Sequence, residues 1–126
     1  KRTFNEKLMG LVRAGYEANP LISLEERIRH IYDLHQLLAT EEIKTFLDDG
    51  LKSMIEVVRE DDRKNIEFQG AWMEKKMADS LLFKKTNEVM QNLTAHYQDN
   101  FSSLVYGELP PVSDLVTTIK KIAGKI

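Results

Sequence analysis

Residues 65–106 read NIEFQGAWMEKKMADSLLFKKTNEVMQNLTAHYQDNFSSLVY, a run with no proline, a single glycine at Gly70, and apolar residues three and four apart throughout. Apolar recurrence at that period marks an amphipathic helix, and at a rise of about 1.5 Å per residue an unbroken one would be roughly 60 Å long. That exceeds the span of a small domain, so such a helix is expected to serve as a spine or to reach a partner.

A turn of about 100° per residue sorts the run into faces. Ile66, Gly70, Met73, Met77 and Leu81 fall on one side of its first half, with Phe68, Trp72 and Phe83 opposite. The second half uses that opposite side, through Leu82, Val89, Met90, Leu93, Tyr97, Phe101 and Leu104. The first half is therefore apolar on two faces. Two arrangements follow: the helix breaks near Asp79–Ser80 and its pieces pack separately, or its first half is sandwiched between the bundle and something else.

Upstream, Thr3 and Glu6 have the spacing of a capping box for a first helix with Phe4, Leu8, Leu11 and Val12 on its inner side, Gly15 open to the approach of another backbone, and an end at Asn19–Pro20. A second box, Ser23 with Glu26, opens a helix whose inner face carries Leu24, Ile28, Ile31, Leu34, His35 and Leu38. Thr40, followed by Glu41 and Glu42, caps a third, with the stripe Ile43, Phe46, Leu47, Gly50, Leu51, Met54, Ile55 and Val58. Residues 59–64 are all charged, as a solvated turn or an exposed continuation of the helix would be, and of the two a turn near Asp61 and Asp62 is expected. Gly107 and Pro110–Pro111 stop the long run. Ser113 then caps a last helix striped by Leu115, Ile119, Ile122 and Ile126, with Lys120, Lys121 and Lys125 toward its negative end. Gly50 and Gly70 each lie inside a stripe, where glycine costs about 1 kcal/mol relative to alanine, so at least one is expected to face a neighbouring helix closely.

The expected fold is all-α: a helical bundle of about five amphipathic helices with one long helix over about residues 65–106, the break near 79–84 being the alternative to a continuous rod. A chain of 126 residues suits one domain over 1–126. It starts at Lys1 without a methionine and ends at Ile126 inside an apolar helical pattern, as a trimmed chain, a processed product or a piece of a larger protein would.

Composition removes whole function classes. With no cysteine, disulfides and thiolate metal sites are excluded. A net charge of −2 gives no global attraction to phosphate backbones or anionic lipid. No apolar stretch approaches the roughly 18 residues of a membrane span, so a soluble chain without membrane partners is expected. The compartment stays open. His30 and His35 are about 140° apart on one helix and cannot chelate together, no His-Glu-x-x-His or Glu-x-x-His pairing occurs, and no metal or cofactor is expected. The acidic pairs Glu41/Glu42, Asp48/Asp49 and Asp61/Asp62 fit helix starts and solvated faces. The serines lack a neighbouring base, and no glycine-rich phosphate loop is present.

The surplus of apolar faces in the long run points to a non-enzymatic protein–protein interaction or assembly module, its partner being another protein or a second copy of this chain. Phe68, Trp72, Met73 and Met77 are the candidate contact residues, because aromatics and methionines so spaced offer a large, adaptable apolar area. Two alternatives belong to other classes. Lys75, Lys76, Lys84 and Lys85, interleaved with Trp72 and Phe83, could bind nucleic acid through the Lys75–Lys85 segment. A pocket within the bundle could instead hold a small ligand, as in a sensor domain.

Overall fold

The computed structural model describes residues 2–64, 75–101 and 109–126, and every regular element among them is helical. In chain order these are α1 (Arg2–Ala14), α2 (Pro20–Glu26), α3 (Ile28–Leu38), α4 (Glu41–Asp49) and α5 (Leu51–Lys64). A 3₁₀ turn (Met77–Asp79), α6 (Leu81–Lys84), α7 (Thr86–His96), a π turn (Tyr97–Phe101) and α8 (Val112–Ala123) complete the set. The expected all-α bundle is observed, with more and shorter helices than the five read from the sequence. No described helix is long and apolar enough to cross a membrane.

α1 packs chiefly on α3, and also on α2 and α6. Phe4, Leu8, Leu11 and Val12 are fully buried, as their spacing predicts, and Phe4 meets Phe46 of α4 edge-to-face, ring centroids 6.2 Å apart. That packing recruits Phe4 into a first turn that begins at Arg2, so Thr3 lies inside the helix rather than capping it. α1 also ends earlier than the Asn19–Pro20 signal suggests. Its last four carbonyls all find donors: the amides of Gly15, Tyr16 and Glu17 serve Leu11, Arg13 and Ala14, and the Ser80 hydroxyl donates to Val12 at 2.8 Å. Unmet carbonyls are what a helix end must settle, and here a residue from a distant segment settles one.

The approach of Ser80 requires Gly15. A Cβ at Gly15 would lie 2.0 Å from Ser80 Oγ and 2.7 Å from the Leu81 amide nitrogen. Gly15 thus has the role expected of it, and the approaching backbone is the start of α6.

Pro20 begins α2 at the first helical position, where a missing N–H costs nothing. Ser23 consequently sits inside α2; it is buried and donates its hydroxyl to the Glu17 carboxylate. The chain breaks at Arg27 (φ −110°, ψ 21°), whose guanidinium donates to the Ser23 carbonyl at 2.9 Å. The inner face is as read: Leu24, Ile28, Ile31, Leu34 and Leu38 are buried, and half-buried His35 borders the core, its Nδ1 2.7 Å from Thr118 Oγ1 of α8.

Thr40 caps α4, accepting from the Ile43 amide, with Glu41 and Glu42 in the first turn. Gly50 then separates α4 from α5, and its close neighbour is Phe46 of its own preceding turn, 2.9 Å from an added Cβ, not another helix. Gly70 lies outside the described residues. The turn expected at Asp61–Asp62 does not form, because α5 continues to Lys64. Asp62 is buried and accepts from Arg13 of α1 at 2.8–3.1 Å through both carboxylate oxygens, so this acid is a tie between helices rather than a solvated turn residue.

The described part of the long run is broken, as the alternative to a continuous rod requires. Ser80 (ψ 141°) and Lys85 (φ −124°, ψ 52°) leave helical geometry on either side of α6, so the rod is not formed between residues 75 and 86. The break lets Leu82 and Phe83 turn into the same core as Val89, Met90, Leu93 and Tyr97. Tyr97 donates its phenol to the Pro110 carbonyl at 2.7 Å, and burial, with smaller contributions from Tyr32 and Asp114, pushes its pKa up to about 12. It therefore remains a donor at neutral pH. α8 packs on α3, α6 and α7, burying Leu115, Ile119 and Ile122. It starts at Val112, so Ser113 lies within its first turn rather than at the cap.

One titratable group lies awkwardly between α1 and α3. His30 Nδ1 is buried without a hydrogen-bond partner and lies 3.2 Å from where a Cβ on Gly10 would be. Burial lowers its pKa below the usual 6.5; the cations Lys7 and Arg27 add to the effect, and Asp33 opposes it. With the folded pKa depressed, the unfolded chain takes up a proton first as pH falls. His30 therefore favours the fold fully above about pH 6.5, and its contribution declines as pH drops toward the folded value. Urea unfolding is expected to show less stability at about pH 5.5 than at about pH 7.5, and His30→Gln is expected to reduce that difference. An unchanged difference would remove His30 as its source.

Candidate partner-binding cleft

α5 presents Lys52, Ile55, Glu56 and Arg59 on one face, positions three or four apart that align along a helix. Across the cleft are Lys76, Met77 and Ala78, and Ile126 completes the lining. The space between is an open cleft of about 300 Å³. Its floor is apolar, with Ile55 and Met77 buried in the main core cluster and Ala78 and Ile126 half-buried. Among the described residues, Lys52, Arg59 and Lys76 stand around it with one acid, Glu56.

Polar contacts fix the wall that carries Met77. Tyr16 donates its phenol to the Lys76 carbonyl at 2.6 Å, and Arg59 donates to the Lys75 carbonyl at 3.1 Å. Lys75 Nζ lies 4.9 Å from the centre of the Tyr16 ring, a cation–π contact. The Tyr16 pKa is raised, first by burial and then by the Asp79 carboxylate, with Arg59 opposing. Tyr16 therefore keeps its proton and its hydrogen bond at neutral pH.

Of the four contact residues expected from the sequence, Phe68, Trp72 and Met73 lie outside the described residues. Met77 is described, is 3% exposed, and lies in the floor of the cleft. Phe83 is also enclosed, at 6% exposure, and belongs to the core rather than to a surface shared with the lysines. Sequence reasoning missed Ile55, Lys52 and Ile126 as site residues. Ile55 and Ile126 follow the same period as the core, and the only local hint was a pair of cations, Lys52 and Arg59, flanking Ile55 at three and four residues.

Elsewhere, Leu21, Ile22 and Val57 are the exposed large apolar residues among those described. His96 Nδ1 lies 3.3 Å from Glu25, and no group of three or more His, Asp or Glu among the described residues is placed to hold a metal. Comparison with protein-family models, curated proteins and solved structures gives no match.

Proposed function

We propose that this chain is a non-enzymatic protein-interaction module that receives an apolar segment of a partner in the cleft between α5, the Met77–Asp79 turn and Ile126. One observation carries the reading: an open cleft of about 300 Å³ whose lining runs from half-buried Ala78 and Ile126 down to Ile55 and Met77 of the core. About 300 Å³ suits one or two anchoring side chains and lies at the lower limit of small-molecule pockets. The nucleic-acid reading loses its stacking partner at Phe83, which the core encloses.

Selection of peptides from a random display library tests the proposal whatever the partner's identity. Peptides sharing a large apolar anchor should be enriched, and they should lose about tenfold or more in affinity for Ala78→Arg, which fills the cleft from its wall at a half-buried position. Enriched peptides that bind Ala78→Arg and the parent chain equally would overturn the assignment.

A further inference from the structure

We infer that the segment received by the cleft is acidic, an apolar anchor flanked by carboxylates; this rests on the interaction reading above. The surround is cationic on both walls. Lys52 stands on α5 and Lys76 on the opposite wall, both exposed, and Arg59 of α5 lines the cleft while donating to the Lys75 carbonyl. The one acid among the described lining residues, Glu56, has a side chain 75% exposed and lies 4.0 Å from Arg59. The local balance among those residues is three cations to one anion, while the whole chain carries −2. With Arg59 and Glu56 paired, the exposed cations Lys52 and Lys76 leave the described lining positive, although the chain as a whole is not.

That contrast has two physical consequences. A carboxylate-bearing segment is attracted by Lys52 on one wall and Lys76 on the other, so charge favours one docking orientation, while the apolar anchor supplies the burial. A cationic segment with the same anchor meets like charge on both walls. Lysine stems add apolar length beside the floor, so Lys52 and Lys76 can cover an anchor and hold its flanking carboxylates at once. A second copy of the chain would have to present such an acidic, apolar segment to qualify.

The probes are a helical peptide with two leucines one turn apart flanked by glutamates, and its glutamine and lysine counterparts, titrated into the full chain. The glutamate peptide should bind about tenfold tighter than the glutamine peptide at low salt, and the gap should close as salt approaches about 0.5 M. The double variant Lys52→Glu/Lys76→Glu should reverse the order in favour of the lysine peptide. Equal binding of all three peptides, lost together in Ala78→Arg, would overturn the acidic partner and leave the cleft as an interaction site. Binding unaffected by Ala78→Arg, or no binding at millimolar peptide, would overturn both. Self-association of the chain that Ala78→Arg abolishes and the charge variants do not change would assign the cleft to a second copy and overturn the acidic segment.

Discussion

Arg13→Ala is expected to lower stability by about 3 kcal/mol, since breaking a buried ion pair strands the remaining charge. Asp62 has only 5% of its side chain exposed, against 24% for Arg13, and its carboxylate accepts through both oxygens. Removing the arginine leaves a carboxylate with little access to water. Removing the aspartate instead leaves a guanidinium that reaches solvent, so Asp62→Ala should cost less, about 2 kcal/mol. The joint replacement Arg13→Met/Asp62→Leu should recover most of the loss, because two apolar groups of similar size need no hydration. Urea titrations of the parent chain and the three variants measure these differences. A loss below about 1 kcal/mol for Arg13→Ala would place the pair with ordinary surface ion pairs.

Gly15→Ala is the second large effect, at about 3 kcal/mol. The new methyl collides with the Leu81 amide nitrogen, a backbone atom that cannot swing away, and displaces the Ser80 hydroxyl from the Val12 carbonyl. Overpacking costs about 1–3 kcal/mol and an unmet buried acceptor a similar amount. Ser80→Ala alone should cost about 1–2 kcal/mol through the lost hydrogen bond. In the double variant the hydroxyl clash is gone but the backbone clash remains, so the two losses should combine to less than their sum. Strict additivity would show that Gly15 and Ser80 do not share this contact.

What the sequence could reveal was whatever repeats locally. Leu24, Ile28, Ile31, Leu34 and Leu38 mark an inner face by spacing alone, and all five are buried. Phe4, Leu8 and Leu11, and later Leu115, Ile119 and Ile122, do the same. Helix ends were harder to read. Arg27 and Gly50 interrupt stripes whose periodicity continues across them, because the breaks answer to packing and not to a proline. Asp62 looked solvated because its partner lies 49 residues away, and Ser80 looked unremarkable because its acceptor lies 68 residues away. The cleft has the same character: three separate segments build it, and none carries a motif. Of the contact residues named from the long run, only Met77 falls among the described residues, and it lies in the floor of the cleft.

The long-range ties of α1 to Ser80 and Asp62 also set an order of events during synthesis. Its stripe of Phe4, Leu8 and Leu11 leaves the ribosome before any other described helix, yet Val12 must wait for Ser80 and Arg13 for Asp62. At translation rates of about 5–20 residues per second, roughly 3–14 s separate Val12 from Ser80. During that interval α1 has α3 for cover, but its remaining greasy flank faces water or a chaperone. The first of the described helices to be made, α1 therefore completes its ties to Asp62 and Ser80 well after its own synthesis.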